Sequence, residues 1–237
     1  SLPFIMSGLS CAWSMMRAPR LQTAPTLSTV TNSSVTITLG RNHSYERPTV
    51  SVTKVPDEEL LVFDHEIAAD PKRVFTAYLD PSQLHRWYGP AGWRAQTDDL
   101  VVESVVGGIQ RVRMVNDFDP GATCVLQSRF LAIEPYHELE YAEQLPNHLG
   151  EPSDILVYSR FRFHPETVIT PEGVGEGTRI TVEIGPMPPN VHEEVRTSWR
   201  STFARLDALL TEHDDPEQED ASPEQTDDGP GQASGPR

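Results

Sequence analysis

The stretch from Asp80 to Trp93, "DPSQLHRWYGPAGW", sets two tryptophans and a tyrosine around a Gly-Pro turn. Indole and phenol rings join a large apolar surface to one polar atom, so Trp87, Tyr88 and Trp93 suit the mouth of a site for a small hydrophobic or aromatic molecule. The same residues can instead staple a short helix to a core, with Gly89-Pro90 fixing the turn. Trp199 and Phe203 lie four apart on a later helical stripe and face the same choice. The charged candidates are Arg111 and Arg113, in step with Ile109 and Val115, and Arg129, among Val125, Gln127 and Leu131. On a concave, buried face these arginines would meet a carboxylate or phenolate; on a convex face they are surface charges.

His85, Glu103, His137, His148 and His164 are the acid–base candidates, but none is spaced to work with a nucleophile or a second metal ligand. There is no His-Glu-x-x-His, no phosphate-binding glycine loop and no Gly-x-Ser-x-Gly. The expectation is a protein without cofactor or metal. An enzyme, if it is one, would have to act within a cavity.

The elements that must position these residues follow from periodicity. Leu60 to Ala68 reads as a first strand. Two Asp-Pro pairs, Asp70-Pro71 and Asp80-Pro81, each place a capping side chain ahead of a proline at the first helical position, so two short helices follow. Period-two runs at about 98–106, 109–117, 122–133, 137–145, 155–164 and 178–184 are separated by turn residues, among them "PEGVGEGT", and imply an antiparallel meander. Arg160 and Arg162 alternate with Phe161 and Phe163 and are expected to face solvent. A long helix, "PNVHEEVRTSWRSTFARLDALL", with Asn190 as its expected cap, completes an α+β domain over residues 58–211.

The flanks differ in composition. Residues 1–57 are rich in Ser, Thr and Pro, and read as a disordered head, either an upstream-extended start or a transit-like segment. Residues 212–237 carry nine acids and one base, which is about half of the formal charge of −16, and read as a disordered acidic tail. An acidic domain without a Lys/Arg cluster argues against nucleic acid and anionic membrane as partners. Cys11 and Cys124 are too few for a disulfide framework or a Cys-rich metal site. A soluble, cytoplasmic protein is expected.

Four motifs in order carry a resemblance: "WYGP" at Trp87 to Pro90, Gly107-Gly108 in "VGGIQRVRM", Gly177-Thr178-Arg179 opening the last strand, and Trp199 ahead of "RLDALL". Together they resemble the START-like (SRPBCC, Bet v 1-like) helix-grip superfamily, in its branch named for the activator of heat-shock-protein-90 ATPase homologue. The resemblance implies a curved seven-stranded antiparallel sheet wrapped around the C-terminal helix, with two short helices after the first strand. It also implies an elongated apolar cavity between sheet and helix. Relatives of this kind bind lipids or aromatic molecules, catalyse polyketide-like cyclisation or dehydration, or bind a chaperone and stimulate its ATPase. Ligand binding is the first expectation; a chaperone-binding module and a cavity-based cyclase or dehydratase are the alternatives.

Overall fold

A computed structural model describes residues 57–170 and 173–212, so the expectations for the head and the acidic tail lie almost wholly outside the described residues. The first element is strand β1 (Leu61–Ile67). Asp70 then accepts from the backbone N–H groups of Lys72 and Arg73 at 2.9 and 3.1 Å, starting helix α1 (Pro71–Leu79). Asp80 serves both helices of the pair. Its N–H donates to the Thr76 carbonyl and closes α1, while its carboxylate accepts from Ser82 N–H at 2.8 Å and opens α2 (Pro81–Trp87). The Ser82 hydroxyl bond is the main reason the Asp80 carboxyl is held below its usual range.

The strands that follow are β2 (Trp93–Ala95), β3 (Val101–Val102), β4 (Ile109–Asn116), β5 (Thr123–Glu134), β6 (Glu138–Pro146), β7 (Pro152–Thr170) and β8 (Gly173–Gly185). They form one antiparallel sheet in the order β1-β8-β7-β6-β5-β4-β2, a path of seven strands, with β3 also paired to β4. Of the strand expected at 98–106 only Val101–Val102 pairs, with Val101 opposite Arg111, and a short strand not expected from the sequence precedes it, with Trp93 opposite Asn116. A turn closed from Leu100 N–H to the Thr97 carbonyl carries Asp98 and Asp99 out of the ladder, and Asp99 then reaches across to Arg113 at 2.5 Å.

The glycine-rich stretch expected as a turn belongs to β8. It continues the ribbon with β7 as far as the pair Thr170 and Gly173. Gly177 is required there by packing, since a Cβ would strike the Val168 side chain and approach the Ile67 carbonyl to 2.9 Å.

Helix α3 (His192–Glu212) lies across the concave face and is roughly 30 Å long at about 1.5 Å per residue. It does not start at an Asn190 cap: a 3₁₀ turn over Pro189–Val191 leads into it. Val195, Trp199, Phe203, Leu206 and Leu210 of α3 are buried against Ile180, Val182 and Ile184 of β8 and their neighbours. The alternation predicted for β8 holds, with Arg179, Thr181 and Glu183 on the outer face. On that face Arg160 bonds Glu140 at 2.6 Å and Glu183 at 3.3 Å, and Arg162 also meets Glu183. Among the described residues no helix is long and apolar enough to cross a membrane.

Candidate functional site

The interior of the grip is unevenly filled. In one part aromatic rings close-pack: Tyr78 on Phe161 at 5.3 Å, Tyr141 stacked on Phe161 at 5.4 Å, and Phe161 against Trp199 at 5.2 Å. Beyond Trp199 the packing leaves a cavity of about 50 Å³ between sheet and helix. Its walls are apolar, with Trp93, Met114, Leu126, Val157, Ile184 and Met187 facing it from successive elements. Cys124 also borders it and is disulfide-bonded rather than a free thiol. The polar lining is sparse: Glu143 on β6, Ser159 on β7, Thr202 on α3 and Tyr88 after α2.

Among the described lining residues Glu143 is the sole charged side chain. It shares the inward parity of β6 with Leu139, Tyr141 and Leu145. Tyr88 donates a side-chain hydrogen bond to it. Burial above all, and then the Glu143 charge, pushes the Tyr88 phenol well above its ordinary value. Tyr141 and Tyr78 are raised in the same direction, again chiefly by burial. A second feature is the Trp199 indole. Its Nε1 is buried without a hydrogen-bond partner, and Trp199 lines the cavity. A buried donor left unpaired is costly, so it points to a site that a ligand or a water completes.

The loop at the mouth is held from the helix. Arg205 of α3 donates to the carbonyls of Gly89 at 3.2 Å, Trp93 at 2.7 Å and Arg86 at 3.3 Å. Ser201 accepts from Ala91 N–H at 3.1 Å. Gly89 has φ of 121°, which only glycine adopts without strain, and a Cβ there would run into the Met114 methyl.

These positions sort the residues singled out in the sequence. Tyr88, Trp93 and Trp199 line the cavity. Trp87 does not: it is fully buried, donates from Nε1 to the Ala77 carbonyl at 2.9 Å, and pins α2 onto α1. Phe203 is likewise core, stacked on His65 at 4.7 Å. The three arginines are on the outer face of the sheet, because Gln110, Val112 and Met114 of β4 and Ser128 and Phe130 of β5 take the inward parity. Arg111 bonds Gln127, Arg113 pairs with Asp99, and Arg129 donates to the Gly107 carbonyl. None of the five acid–base candidates lines the cavity. Sequence reasoning missed Glu143, although a carboxylate in step with Leu139, Tyr141 and Leu145 was the available signal. It also missed Arg205, whose three acceptors are backbone carbonyls and leave no trace in side-chain identity.

A long helix gripped by a curled antiparallel sheet, with a helix pair after the first strand and a small apolar cavity between them, defines a helix-grip protein of the START-like class. The model of the family described as activator of Hsp90 ATPase homolog 1-like protein matches residues 68–211, and the chain belongs to that family. A search of curated proteins returns no match. Solved structures share the fold. One from Arthrobacter aurescens is 26% identical, with a TM-score of 0.53, covering 69% of this chain and 92% of its own. A protein from Mycobacterium smegmatis is 21% identical with a TM-score of 0.54, over 68% and 96%. A protein from Silicibacter pomeroyi named for the same family is 17% identical with a TM-score of 0.54, over 65% and 99%.

Proposed function

We propose that this protein binds a small hydrophobic or aromatic molecule in the cavity between α3 and the sheet. The observation that carries the reading is the gap itself: aromatic rings close the rest of the core, yet beside Trp199 they leave apolar space bordered by a few polar groups. At about 50 Å³ that space holds a few waters or a very small ligand, and an empty apolar void would be a net cost. Met114 and Met187 line it with unbranched, flexible thioethers, so the volume can grow around an occupant by rotamer change.

The test is native mass spectrometry of freshly purified protein together with a thermal-shift screen of small apolar and aromatic molecules. A co-purified molecule, or stabilisation that Ser159→Leu abolishes by filling the space, is the expected result. Absence of both would remove the reading.

A second reading, a partner-binding module that stimulates a chaperone ATPase, is suggested by the family's description. It is supported by an exposed apolar pair, Ile169 and Val174, which face each other across the β7–β8 ribbon at 87% and 73% exposure. Co-sedimentation with the chaperone, lost in Ile169→Asp, would favour it over the first.

A further inference from the structure

From the polar groups of the cavity we infer the chemical class of its occupant: a compact, non-anionic molecule with an apolar body and one hydrogen-bond acceptor, such as a ketone, ether or ester oxygen. The inference rests on the ligand-binding reading and adds what the site selects.

Two observations converge on it. The first is the Trp199 indole, a donor and never an acceptor, which is 5% exposed, lines the cavity and has its Nε1 buried without a partner. A ligand oxygen brought to that N–H satisfies it in surroundings where an unmade bond is expensive. Two of the three lining hydroxyls are committed within the protein: Tyr88 donates to Glu143, and Thr202 donates to the Ser198 carbonyl at 3.1 Å, which leaves the Ser159 hydroxyl as the other donor facing the space. Of these two donors Trp199 is the one that is buried without a partner and cannot turn to accept instead, so it is the group that selects an acceptor.

The second observation is the sign of the field. Glu143 is the sole charged side chain among the described lining residues, and Arg111, Arg113 and Arg129 are on the opposite face of the sheet. A ligand carboxylate or phenolate entering this space would lose its hydration and meet a carboxylate. The cavity thus rejects anions, and the arginines take the convex, surface alternative of the two that the sequence left open.

Size sets the third limit. A volume of about 50 Å³ is below the roughly 150 Å³ of an apolar cavity that admits benzene, so a six-membered ring enters only as Met114 or Met187 withdraws.

The experiment uses the full chain and four probes of matched shape: cyclohexanone, methylcyclohexane, cyclohexanecarboxylate and cyclohexylamine. Binding is read from thermal shift and from the indole N–H resonance of Trp199, assigned by comparison with Trp199→Phe. Cyclohexanone is expected to bind about tenfold more tightly than methylcyclohexane and to move the Trp199 signal, one net hydrogen bond being the difference. Trp199→Phe should remove that preference while methylcyclohexane still binds. The carboxylate should not bind to wild type and should gain affinity in Glu143→Gln. Equal binding of ketone and hydrocarbon, tightest binding by the amine, or tight binding of the carboxylate to wild type would overturn this inference and leave the ligand-binding reading standing. Failure of all four probes to bind would overturn both.

Discussion

The Arg205 guanidinium donates to the Trp93 carbonyl at 2.7 Å, and the same side chain reaches the carbonyls of Gly89 and Arg86. One cation on the central helix therefore fixes the loop that forms the cavity mouth, from the end of α2 to the start of β2. Replacing Arg205 with Met keeps much of the stem but leaves three carbonyls to find other partners. Amide hydrogen exchange at residues 88–93 should accelerate at least tenfold in Arg205→Met, while β6 and β7 keep their protection; charged hydrogen bonds of about 1.5–3 kcal/mol each set that scale.

Gly89 should resist any side chain. Its φ of 121° and the Met114 methyl in the path of a Cβ together predict that Gly89→Ala costs about 1–3 kcal/mol in urea unfolding and weakens ligand binding by displacing Met114. An alanine variant as stable as wild type would show that the mouth loop is looser than this geometry.

Trp87 is expected to matter for folding and not for ligand selection. It is fully buried, so Trp87→Ala should cost about 3–5 kcal/mol. Trp87→Phe should cost less, mainly the bond from Nε1 to the Ala77 carbonyl, and should leave probe affinities unchanged.

The buried tyrosines predict alkaline instability. Tyr78, Tyr88 and Tyr141 have phenols raised well above 10. An acid whose folded value exceeds its unfolded value contributes fully below the unfolded value, near 10, and the contribution is lost as pH rises beyond it. Stability followed by circular dichroism should be flat from pH 8 to about 9.5 and then fall steeply. Tyr88→Phe should make that fall shallower by about one proton in the pH slope.

Much of the frame was legible because it depends on local chemistry. Asp70-Pro71 and Asp80-Pro81 mark helix starts through capping, and the alternation of Ile180, Val182 and Ile184 marks an inward face. What stayed hidden depends on parity between strands and on backbone partners. The arginines of β4 and β5 alternate correctly whichever face is inward, and only the side occupied by α3 decides the matter. The edge strand expected at 98–106 is shorter than its period-two run because only Val101 and Val102 pair, whereas Asp99 turns out of the ladder to meet Arg113. Cavity residues were harder still. Tyr88 and Trp93 stood out by type, but Glu143 matters for standing where its strand neighbours are apolar, and Trp199 for a bond that it does not make.

Asp80 ends one helix and begins the next, which leaves no spacer between them. The corner has the character of a keyed joint: one added residue would turn α2 by about 100° about its axis and swing Trp87 away from the Ala77 carbonyl. Chain length is consequently fixed at this point more strictly than residue identity. A library of single-residue insertions should find the Leu79–Pro81 junction closed, while the turn between β4 and β5, where Phe118 stands 81% exposed, accepts additions freely.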